Sequence, residues 1–118
     1  MSFKNLRKMI EVQGNGNIVS REVSVSTFIR LHLGCTGTVE LHQSDQEKVT
    51  IDADENLMEY FAASNAGRTL YVSNEGNLRK PAFTSCTIKV YFRQLNKIIL
   101  RNHNGRTFCP KQLVLKEP

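Results

Sequence analysis

His32, Cys35 and His42 fall within one short stretch of the chain and carry the side chains best able to do chemistry. Imidazole and thiolate are the usual ligands of a zinc ion. If the strands bearing the two histidines were neighbours, His32 and His42 would lie within ligand range, with Cys35 or Asp45 as a third donor. Their spacing matches no closed metal site, and half-exposed histidines on a β-face need no metal to explain them. Cys35 near His32 also has the makings of a thiol and its base, but no neighbour would orient the imidazole or hold an oxyanion. Asp52, Asp54 and Glu55 bring three carboxylates together. A calcium loop needs a longer alternating series of oxygen donors, and Asp54 stands at an expected helix start, where an acid satisfies free N–H groups. The expectation is therefore no catalytic group, no metal and no cofactor.

The outward positions of the later strands are more suggestive. Tyr71, Lys89, Tyr91, Ile99 and Arg101 alternate with the apolar Leu70, Val72, Ile88, Val90, Ile98 and Leu100. If segments 69–73, 87–92 and 97–101 run side by side, two tyrosines and several cations share one face. Aromatic rings beside cations suit stacking on sugars, or on bases with phosphate neutralisation. Tyr and Lys are also ordinary residues for a solvated β-face. The sequence holds no RNP-type or arginine-rich motif, so nucleic acid or another polyanion is the alternative rather than the leading ligand.

What must position these residues is a series of short strands. Leu31 and Leu33 flank His32, Val39 and Leu41 flank Glu40, and Val49 and Ile51 flank Thr50. The figure returns as Leu70-Tyr71-Val72, Ile88-Lys89-Val90 and Ile98-Ile99-Leu100. A two-residue period means one buried and one solvated face. Its recurrence predicts an all-β domain of stacked rungs or hairpins with one short helical turn, or alternatively a β-sandwich. Gly14-Asn15-Gly16-Asn17 predicts a tight turn between two strands. A phosphate loop would need Lys-Ser/Thr and a helix after it, and neither follows. One or two helical turns over 54–61 would place Leu57 and Phe61 on one face. Residues 65–68 read as a turn, 75–81 as a polar loop, and 108–115 as a last edge strand.

Nothing in the 118 residues divides the chain, which predicts a single domain with a core that needs no staples. Cys35, Cys86 and Cys109 are odd in number and lack CxxC spacing, which suits three reduced thiols, or one disulfide and a free thiol. The basic opening, Met1 to Lys8, has no apolar stretch after it, and no run is long enough to span a membrane as a helix. Either the protein is cytoplasmic or a signal precedes this numbering. Net charge is +5. Between Glu40 and Glu59 the only cation is Lys48, whereas no acid occurs from Gly76 to Lys116. Strands stacked in chain order would thus make one end acidic and the other basic, which favours head-to-tail association or an anionic partner. Solvated faces with scattered ion pairs are the plainer reading.

The order of these features resembles the bacterial auto-transporter adhesin head domain, the GIN domain. The residues that carry the likeness are Gly14-Asn15-Gly16-Asn17-Ile18-Val19, Val23 to Phe28 leading into Leu31-His32-Leu33-Gly34, and Gly37-Thr38-Val39-Glu40-Leu41-His42-Gln43. They continue through Val49-Thr50-Ile51-Asp52-Ala53-Asp54-Glu55-Asn56-Leu57, Thr69-Leu70-Tyr71-Val72, Ile88-Lys89-Val90-Tyr91 and Leu95-Asn96-Lys97-Ile98. The resemblance implies a right-handed β-helix or β-solenoid-like stack of short strands, usually exported, with no established activity. Such domains continue into further Gly-Ser-Gly-type rungs, whereas here only a dozen residues follow Arg106. The last rung would then expose its apolar cross-section. The expectation is a strand-like cap at Leu113–Leu115, or burial of that end in a homodimer. Together these readings predict a non-enzymatic, self-associating binding module for a glycan or protein surface.

Overall fold

The computed structural model of the chain describes residues 11–74, 80–100 and 112–116. The fold is all-β. Strands β1 (Glu11–Gln13), β2 (Ile18–Ser24), β3 (Arg30–Gly34), β4 (Thr38–Gln43) and β5 (Lys48–Asp54) precede a 3-10 helix (Glu55–Tyr60). After it come β6 (Ala62–Ala66), β7 (Thr69–Ser73), β8 (Lys80–Ala82), β9 (Cys86–Phe92), β10 (Lys97–Leu100) and β11 (Gln112–Lys116). They form a four-stranded sheet, β10-β3-β7-β6, a five-stranded sheet, β11-β4-β9-β5-β2, and a small pair, β1-β8. Among the described residues no helix is long and apolar enough to cross a membrane.

Three passes of the chain, β3/β4, β7/β9 and β10/β11, lie parallel to one another across the two larger sheets. That much is solenoid-like. Strands β2, β5 and β6 then extend the sheets by antiparallel pairing, so both sheets are mixed. The connection from β6 to β7 is only Gly67 and Arg68, which permits an antiparallel return and no crossover. The passes also do not stack in chain order, since β10 and β11 sit against β3 and β4, on the side away from β7 and β9. This removes the expected gradient from an acidic to a basic end. Glu40 of the acidic stretch stands in register between Val114 and Lys89 of the basic one.

The core fills the space between the two larger sheets. Leu31, Leu33, Leu70 and Val72 from one sheet meet Val39, Leu41, Val49, Ile51, Ile88 and Val90 from the other, with Phe28, Phe61 and Phe92 in the same cluster. Each such side chain contributes about 1.5–3 kcal/mol by leaving water. Alternation therefore locates the core correctly in the inner strands. It fails at the edge: Ile98 has the core phase of Leu31, its register partner, yet is 37% exposed because β10 ends its sheet.

Two other expectations change for local reasons. The Gly14–Asn17 turn does not close a hairpin, because β1 pairs with β8 while β2 joins β5. Segment 62–66 is a strand that its Ala-Ala-Ser-Asn-Ala composition conceals. Pairing to β7 holds it, as does Asn65, whose amide accepts from the Ser26 N–H (2.8 Å) and donates to the Ser26 carbonyl (2.9 Å).

Between β3 and β4, Gly37 adopts φ 99° and lies so close to Cys86 that a Cβ would sit 2.7 Å from its carbonyl oxygen. Gly37→Ala is expected to cost about 1–3 kcal/mol from backbone strain and that clash. A urea titration should show a lower midpoint at unchanged slope; an unchanged midpoint would mean that the loop shifts without cost.

Candidate functional site

The face expected from Tyr71, Lys89, Tyr91, Ile99 and Arg101 is divided between two sheets. Strands β7 and β10 lie in the four-stranded sheet with β3 between them, and β9 lies in the five-stranded sheet. The two outer faces point away from the shared core, so Tyr71 and Ile99 are on one side of the molecule and Lys89 and Tyr91 on the other. Arg101 lies outside the described residues. The register that separates these residues also separates the histidines. His32 and His42 belong to opposite faces, and Cys35 is fully buried in the core between them. They cannot share a metal, and Cys35 is not placed to work with His32 on the outer face.

Each histidine instead packs on a tyrosine. On the five-stranded sheet, Lys116, His42, Tyr91, Lys48 and Ser24 form one cross-strand row. The His42 ring stacks on Tyr91 at 4.8 Å and 21°, and the Lys48 ammonium lies 5.1 Å from the Tyr91 centroid on the other side. Both ring faces of Tyr91 are thereby engaged. His42 also meets Glu40 at 3.0 Å, and Lys48 meets Glu22 at 3.2 Å, so each of the two has an acid beside it on this face.

The four-stranded sheet presents a different surface. Its central row is Ile99, His32, Tyr71 and Ser64. Tyr71 is 42% exposed, with the His32 ring tilted against it at 4.9 Å. On its other side its register partner among the described residues is the small Ser64, which leaves ring surface open. In the neighbouring row Arg30 donates from Nε to Thr69 Oγ1 at 3.0 Å, which ties its side chain to β7.

The remaining reactive groups are committed to structure. Asp54 is fully buried, and it does not cap the 3-10 helix. It accepts hydrogen bonds from Gly16 N–H (2.9 Å), Thr84 N–H (2.8 Å) and Thr84 Oγ1 (2.6 Å). A Cβ on Gly14 would lie 2.4 Å from this carboxylate, which is why the turn carries glycine there. Burial pushes the Asp54 carboxyl up, but the bonds from Thr84, Gly16 and Ser85 outweigh it and leave it below the ordinary value. Cys86 lines a cleft of about 380 Å3 with Thr36, Thr38, Phe83, Thr84 and Thr87. Burial pushes its thiol up to about 11; the Asn74 amide opposes this and the Asp54 charge adds to it. A thiol held protonated is a poor nucleophile.

Pattern reading overlooked His32 as a ring partner, Ser64 as the opening beside Tyr71, and Asn74 as a buried amide. Their partners lie 7 to 39 residues away in sequence, and only strand register joins them.

Solved structures share this architecture. One from Bacteroides fragilis, described as a "putative adhesin", is 18% identical with a TM-score of 0.70, over 90% of this chain and 44% of that one. Another "putative adhesin", from Parabacteroides distasonis, is 22% identical with a TM-score of 0.67, over 91% and 47%. A "putative lipid binding protein" from Parabacteroides distasonis is 22% identical with a TM-score of 0.63, over 75% and 39%. This chain thus spans less than half the length of these structures, and at such identities the likeness is one of fold. No curated protein matches the chain significantly. Residues 27–111 match the family described as "Putative auto-transporter adhesin, head GIN domain", which is most of the sequence, and the chain belongs to that family.

Proposed function

We propose that this chain is a non-catalytic, adhesin-like binding module that contacts glycans through the outer face of the four-stranded sheet. The observation that carries this reading is Tyr71, an exposed ring supported by His32 on one side and open beside Ser64 on the other. A sugar's apolar face can stack on such a ring while the Arg30 guanidinium offers donors to its hydroxyls. The family description supports display at a cell surface. Nucleic acid is disfavoured among the described residues, because Lys48 and His42 are paired with Glu22 and Glu40 rather than forming a continuous basic stripe. Lipid, taken from the description of one relative, would lie on the surface, since the interior between the sheets is occupied by buried side chains such as Phe28, Leu31, Leu33 and Leu70.

A glycan array supplies the ligand and Tyr71→Ala supplies the test. Binding should weaken about tenfold or more with Tyr71→Ala, while Tyr91→Ala, whose ring is already covered, leaves it unchanged. A Tyr71→Ala protein that binds as tightly as the parent, or a parent that retains no glycan, overturns the proposal.

A further inference from the structure

Among the described residues β11 has a neighbour on one side only, the parallel strand β4. The Gln112 N–H donates to the Gly37 carbonyl of that side (3.4 Å). Along a parallel ladder the direction of the backbone groups alternates. Gln112, Val114 and Lys116 therefore turn theirs toward β4, and Leu113 and Leu115 turn theirs to the open edge.

The side chains of those same two leucines share the phase of Val39 and Leu41 in the core, but they lie past its end and remain 41% and 63% exposed. Large apolar residues on an unpaired edge are what folded proteins ordinarily avoid.

We propose that the occupant of this edge is a second copy of the chain, paired antiparallel about a twofold axis through Val114. In that register Leu113 stands opposite Leu115 of the other copy, and the outward N–H and C=O groups of both form the closely spaced hydrogen-bonded pairs of an antiparallel ladder. The four leucines meet on the inner face and join the two cores. On the outer face Val114 meets its own copy. Lys116 meets Gln112, so no cation faces a cation. A shift of two residues to either side would leave a Leu without a Leu opposite it, and a shift of one turns the leucines to the wrong face. The result is one continuous ten-stranded sheet, twice the five strands of each copy. This deepens the reading of the chain as an interaction module but is separable from glycan binding, because β11 is on the opposite sheet from Tyr71.

Sedimentation equilibrium of the whole chain across a wide concentration range should show a monomer–dimer equilibrium. Leu115→Lys, at a position exposed in the monomer, should raise the dissociation constant about 10- to 100-fold without changing the circular dichroism spectrum. In a Cys109→Ser background, Val114→Cys should give a covalent dimer on mild oxidation, since facing residues of a non-hydrogen-bonded pair lie within disulfide reach. Gln112→Cys and Lys116→Cys should each cross-link poorly alone and well when mixed. A monomer at every concentration overturns the proposal, as does a dimer indifferent to Leu115→Lys. A dimer in which Val114→Cys fails to cross-link overturns the register.

Discussion

Asn74→Ala is expected to lower the free energy of unfolding by about 2–4 kcal/mol. Asn74 is completely buried just after β7. Its Oδ1 accepts from the Thr36 N–H at 3.0 Å, and its Nδ2 donates to the Thr36 carbonyl at 3.0 Å. The amide thus behaves like a short piece of strand, closing the β3–β4 corner against the end of β7. Nδ2 also reaches toward Cys86 Sγ (3.8 Å). Truncation leaves both Thr36 backbone groups without their side-chain partner and opens a void at the fully buried Asn74 position. The melting temperature should fall by about 6–15 °C. Asn65 makes the same two-pronged contact with Ser26 but in a more exposed place. Its alanine variant should lose only about 1 kcal/mol, because water replaces the amide. Equal losses at the two positions would show that burial is not what gives Asn74 its weight.

The second large effect concerns Asp54 and acid. Its carboxyl is held below the ordinary value of 3.8, because Thr84, Gly16 and Ser85 favour the ionised form more than burial penalises it. The folded state therefore holds the proton less readily than the unfolded chain. The stabilisation is fully present above the unfolded value and disappears as the pH falls through the lowered folded one. Asp54→Asn keeps the shape but replaces one acceptor with an N–H2 aimed at donors, and should cost about 1–3 kcal/mol at neutral pH. The difference between variant and parent should shrink below about pH 4 as the parent loses the same charge. Chemical denaturation from pH 2 to pH 7 measures it. A difference that stays constant over that range would remove Asp54 as the acid-sensitive tie between the N-terminal turn and the loop before β9.

The inner strands were legible because alternation is enforced by burial on one face. Leu31 and Leu33, Val39 and Leu41, and Ile88 and Val90 all lie in the core phase read from their neighbours. The 3-10 helix was legible too, through Leu57 and Phe61, both buried. Strand β6 was not, since Ala62, Ser64 and Ala66 gain their place from the backbone of β7 rather than from their own side chains. The role of Asp54 was misread for a related reason. An acid before a helix ordinarily caps it, but here two distant backbone N–H groups and a hydroxyl take the carboxylate first.

The residue series by itself determined that the chain is all-β, which side of most strands is buried, and to which family it belongs, because these depend on local alternation and on motif order. Which strands become neighbours was decided only by the tertiary structure. Register between segments up to 74 residues apart, as from Thr38 to Gln112, rests on how whole faces pack, and no local spacing encodes it. That is why His32, Cys35 and His42, adjacent in the chain, are parted by a core. It is also why Tyr71 finds His32 across the strand pair, and why Leu113 and Leu115 are exposed among the described residues.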